Sequence, residues 1–175
     1  VDEHLCNLEK AGISGLMLSW TLGGWPEGNL SLGKYRLDDW FCTFGEISST
    51  IKKASQCFSD AFREFPFCVQ FAYRGPQNMG PANLFFEEPT GYTSTMTGFP
   101  YDDLTGWRDV YSEEVLEEQF RRLTEKWWNG LNILDAIISE KMCLSDKATE
   151  FIRMAHAAYC IFKSCYHQIR FIRLR

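Results

Sequence analysis

Apolar residues recur at three- and four-residue intervals through the C-terminal part of the chain. Leu116, Phe120, Leu123, Trp127, Leu131, Leu134 and Ile138 form one stripe, and Ala148, Phe151, Ile152, Ala155, Tyr159, Phe162, Tyr166, Ile169 and Ile172 form another. Each stripe opens on a serine suited to cap a helix: Ser112, followed by Glu113 and Glu114 in the first turn, and Ser145. The connection Lys141 to Leu144 is short, so residues 111–175 are expected to fold as an antiparallel two-helix hairpin. A third helical pattern covers about 47–65, where Ile51, Ala54, Phe58, Ala61, Phe62 and Phe65 share a face and Pro66 stops the run.

The beginning of the chain follows a different rule. His4 to Ala11 carries Leu5 and Leu8 at helical spacing and ends at Gly12, which suits a C-cap. Gly15-Leu-Met-Leu-Ser-Trp20 then reads as a short buried strand, with the loop Gly23-Gly24-Trp25-Pro26 at its carboxyl end. Residues 1–32 thus have the order of one αβ step, and a parallel strand needs neighbours that the rest of the sequence does not provide. The expectation is a mainly α fold: a long antiparallel helix pair, a loop-rich middle over 33–110, and one αβ step left from an upstream (β/α)8 barrel. Such an orphaned step would leave a sticky face around Leu16 and Leu18, which a homodimer would cover. Within the middle, Asp38 to Phe44 is a candidate short helix and Phe67 to Tyr73 is an apolar stretch too short to assign. Gly75 to Trp107 exceeds an ordinary structureless loop.

Composition narrows the function. Of 175 residues, 45% are apolar, enough for one globular core, and 15% are aromatic, more rings than such a core easily hides. The formal net charge of −5 disfavours a general grip on nucleic acid. Acidic residues gather from Asp102 to Glu118, and Lys163, Arg170, Arg173 and Arg175 close the chain. Seven scattered cysteines without a C-x-x-C pair argue against a zinc site or a disulfide framework and fit a reducing, cytoplasmic setting. No apolar run reaches the length of a membrane span, and no cofactor or metal is implied.

The candidate chemistry lies in stiff loops. Gly75-Pro-Gln-Asn-Met-Gly-Pro-Ala-Asn83 repeats Gly-Pro-x-Asn and presents Gln77, Asn78 and Asn83, whose amides both donate and accept and so suit polyhydroxylated ligands. The same amides also close turns, so the segment is either a ligand loop or a rigid corner. Trp20 offers a flat face to the C–H side of a pyranose, with Gly23 and Gly24 allowing close backbone approach. Gly98-Phe-Pro-Tyr-Asp-Asp-Leu-Thr-Gly-Trp107-Arg108 sets Asp102 and Asp103 among aromatics. Adjacent carboxylates do not by themselves flank one glycosidic bond, and turn or Arg108 contacts are their commoner use. His4, His156 and His167 are dispersed, and no nucleophile elbow, zinc helix, phosphate loop or dinucleotide fingerprint is present.

Together, Gly15-Leu-Met-Leu-Ser-Trp-Thr-Leu-Gly-Gly24, Phe65-Pro-Phe67, the GPQNMGPAN loop through Leu84, Pro89-Thr-Gly-Tyr92 and Gly98 to Trp107 resemble the C-terminal part of large bacterial glycoside-hydrolase-like proteins, near the family 20 hexosaminidases. The resemblance implies a barrel mostly upstream of Val1, with a helical domain packed on it and the catalytic carboxylates on earlier strands. No catalytic residue carries over to this chain. It also implies a carbohydrate partner for the parent protein, with Trp20, Gln77, Asn78, Asn83, Asp102 and Trp107 shaping the rim of a sugar site. The alternative is a non-enzymatic helical interaction module whose aromatic excess faces another protein.

Overall fold

A computed structural model describes residues 7, 10–12, 44–74, 85–91, 103–139 and 143–175. They fall into two units, Val1–Ser49 and Thr50–Arg175. In the first, the amide of Ala11 donates to the carbonyl of Asn7 at 3.0 Å, and Gly12 follows at φ +76°, the left-handed conformation that closes a helix. A short 3₁₀ turn spans Gly45–Ile47. The segment Gly15 to Trp20, expected as a barrel strand, lies outside the described residues, as does 38–43.

Among the described residues the secondary structure is helical throughout, without strands: α1 Ser48–Phe62, α2 Val69–Arg74, α3 Glu113–Ser139 and α4 Asp146–Leu174. Both serine caps form. Ser112 Oγ accepts from the Val115 amide at 3.3 Å, and Ser145 Oγ accepts from the Ala148 amide at 3.2 Å. Helices α3 and α4 run antiparallel, because cross-links that advance along one helix retreat along the other: Glu117 meets Arg173, Trp128 meets Tyr159 and Asp135 meets His156.

The core follows the stripes with small shifts. Leu116, Phe120, Leu123, Trp127, Leu131 and Leu134 are buried, but the last position belongs to Ile137, and Ile138 is 49% exposed. A period of 3.6 residues makes the final step three instead of four. In α4, Ala148, Phe151, Ile152, Ala155, Cys165, Tyr166 and Ile169 are buried, whereas Tyr159, Phe162 and Ile172 are half-buried. The burial of Cys165 pushes its thiol well above the usual range, which fits a packing role.

Helix α1 lies on this pair through Phe58, whose ring stacks on Trp127 at 4.4 Å. Gly130 of α3 makes the approach close: a Cβ there would fall 2.7 Å from Cδ1 of Phe58 and nearer still to Cε1. α1 ends earlier than its pattern suggests, in turns where the Glu64 and Phe65 amides donate to Ala61 and Phe62 carbonyls. Phe62, the last residue of α1, flanks the buried stripe of Ile51, Ala54, Phe58 and Ala61 and is 39% exposed. The stretch Phe67 to Tyr73 proves to hold α2, whose start is met by Cys68 Sγ accepting from the Phe71 amide at 3.4 Å. Rings of Phe65, Phe71 and Phe120 meet edge-on and tilted, tying α2 to α3.

Candidate functional site

Of the six residues expected at a sugar rim, Trp107 alone is described; Trp20, Gln77, Asn78, Asn83 and Asp102 lie outside the described residues. Trp107 is 0% exposed, so its ring is part of the core and presents no face to solvent. The neighbouring turn explains its placement. Asp103 Oδ1 accepts from the Thr105 amide at 2.8 Å and from the Thr105 hydroxyl at 2.5 Å, which caps the 3₁₀ turn Leu104–Gly106. Arg108 then donates from Nη1 to the Tyr111 carbonyl at 2.8 Å, and Asp109 takes a left-handed φ of +50°. Asp103 thus serves its own turn, the use expected for a carboxylate in such a sequence.

The hairpin carries an arrangement that sequence reasoning missed. Trp128 of α3 is 44% exposed, and its ring centre lies 5.1 Å from that of Tyr159 on α4, tilted by 44°. Partial burial raises the Tyr159 phenol above its ordinary pKa, with a smaller contribution from Cys160. The phenol therefore stays protonated and able to donate at neutral pH. Further along the same pair, His156 Nε2 lies 2.8 Å from Asp135 Oδ1, with both side chains partly exposed. Asn132, one turn beyond Trp128 in the direction of Asp135, is exposed as well.

This strip therefore offers two aromatic faces, a phenol, an imidazole, a carboxylate and an amide in sequence along the two helices. Aromatic rings with polar tips contact ligands that are apolar on one side and hydroxylated on the other. No group of three or more potential metal ligands occurs among the described residues.

Two other surface features accompany it. At the α1–α2 corner, Phe62 packs against Phe65 and Phe67, while Phe67 is 67% and Val69 is 69% exposed. Near the end of α4, an open groove of about 630 Å³ is lined by Phe85, His167, Arg170, Phe171, Leu174 and Arg175. Among the described residues no helix is long and apolar enough to cross a membrane. Neither family models, nor curated proteins, nor solved structures give a match to this chain.

Trp128 was overlooked because it lies off the apolar stripe, and Tyr159 because it lies on it. Both helices and their short connection were legible, so folding the hairpin about its turn would have brought residues 128 and 159 together. What the stripe hides is the exposure of each ring.

Proposed function

We propose that this chain is the helical, C-terminal portion of a carbohydrate-active, glycoside-hydrolase-like protein, and that it contacts sugar without cleaving it. The Trp128–Tyr159 pair beside the His156–Asp135 pair carries this reading. The rings supply faces for the C–H side of a pyranose, and the phenol, imidazole and carboxylate supply partners for its hydroxyls. The amides Gln77, Asn78 and Asn83, with Trp20 and Asp102, belong to the same proposal as rim residues toward an upstream barrel. Trp107 serves it as the buried anchor of the segment that follows Asp102.

A glycan array probed with this chain tests the proposal. Binding to a defined set of glycans, abolished in Trp128→Ala with helical content retained, is the expected outcome. An array with no saturable binder, or binders that ignore Trp128→Ala, contradicts it.

A second reading, the non-enzymatic interaction module, is favoured by the corner of Phe62, Phe67 and Val69, because phenylalanine and valine offer sugar hydroxyls no polar partner. If that corner covers a second copy of the chain, Phe67→Ser should lower the oligomeric mass measured by sedimentation. A monomeric wild-type chain removes that version.

A further inference from the structure

The groove at the end of α4 is lined by apolar and basic side chains. His167, Arg170, Phe171 and Leu174 fall at helical spacing on one side of the last two turns, with Arg175 beside them, and Phe85 packs edge-on against Phe171 at 5.1 Å. Its walls are hydrocarbon, and Arg170 and Arg175 bring guanidinium groups to its lining. Glu87 and Glu88 follow Phe85 and Phe86 in the chain without lining it.

Arg170 Nη1 donates to the Tyr166 hydroxyl at 2.8 Å, and Arg175 Nη1 donates to the Phe86 carbonyl at 3.0 Å. The carboxylate of Glu117 is bonded to Arg173 Nε at 2.5 Å and forms a longer ion pair with Arg170 Nη1 at 3.9 Å. The Arg170 side chain remains 52% exposed. Partial desolvation, then repulsion from Lys163 and Arg170, holds His167 below its ordinary pKa.

We propose that this groove binds a small amphiphilic carboxylate, its aryl or branched alkyl body against Phe85, Phe171 and Leu174 and its carboxylate on the Arg170 guanidinium. A planar carboxylate matches the fork of an arginine through two parallel N–H···O bonds, and the position of Arg175 adds a second cation. This inference is independent of the sugar reading, since it uses neither Trp128 nor His156.

The test is calorimetric titration of the whole chain with 4-phenylbutyrate and with its neutral analogue 4-phenylbutyramide. The acid is expected to saturate one site, with the amide weaker by about tenfold or more, the scale of one charge-assisted hydrogen bond. Arg170→Gln should weaken the acid by a similar factor. His167→Glu, at an exposed position, should do the same by placing a carboxylate in the groove, while leaving the amide unaffected. Far-UV circular dichroism checks that both variants stay helical. Absence of saturable acid binding, equal affinity for acid and amide, or indifference to both substitutions overturns the proposal.

Discussion

The indole N–H of Trp127 on α3 donates to the backbone carbonyl of Ala155 on α4 at 3.0 Å, in the buried centre of the hairpin. The same ring stacks on Phe58 of α1 and meets Phe162 of α4 edge-on at 5.1 Å, so one residue fixes three helices. Trp127→Phe keeps an aromatic ring but removes the donor and part of the volume. The substitution should cost about 1–2 kcal/mol, and Trp127→Ala about 3–5 kcal/mol. Urea denaturation followed at the helical signal measures both.

Gly130 reverses an ordinary rule. In an open helix, Gly→Ala stabilises by roughly 0.5–1 kcal/mol. Here the added methyl overlaps the Phe58 ring, so Gly130→Ala should destabilise by about 1–3 kcal/mol. In a Phe58→Ala background the obstruction is gone, and the effect of Gly130→Ala should change sign. A double-mutant cycle by denaturation reads that reversal directly.

Glu118 is the charged hub of the exposed side of α3. It accepts from Arg121 Nη2 at 2.7 Å and from Arg122 Nε at 2.8 Å, and these bonds lower its pKa from 4.5 to about 2. A carboxylate depressed on folding contributes stability above its unfolded value and loses it as pH falls through its folded value. The contribution should therefore be present above pH 4.5 and fade between pH 4.5 and about 2. Because the group is exposed, salt should weaken the effect. Carboxyl-carbon titration by NMR should give a Glu118 midpoint well below that of an ordinary glutamate, rising in high salt. Glu118→Gln should flatten this part of the acid-stability curve. A midpoint in the ordinary range would contradict the bonded geometry.

The helices were legible because their evidence is local. Period and caps reside within one segment, and Ser112 and Ser145 cap where the sequence places them. The misassigned positions depend on tertiary geometry. Ile137 replaces Ile138 at the end of a long stripe, and Phe62 flanks the buried stripe of α1, which ends at Ala61. α2 was ambiguous because an apolar run of that length fits either a helix or a strand. Site residues were harder still, since residue type does not report exposure. Trp107 in a glycine-rich segment and Trp128 on a helix are chemically alike, yet the first is buried and the second faces solvent. The pairing of Trp128 with Tyr159, and of Asp135 with His156, arises only when the hairpin closes.

The proposed sugar contact lies on the strip containing Trp128, Tyr159, His156 and Asp135. Its most direct test is a titration of the isotope-labelled chain with the strongest binder from the glycan array, following the indole N–H of Trp128 and the ring signals of His156 by NMR. Saturable shifts at both residues with one affinity, and loss of the His156 shift in Trp128→Ala, are the expected result. Glycan binding that leaves both signals unmoved, or no glycan binding at all, would contradict it.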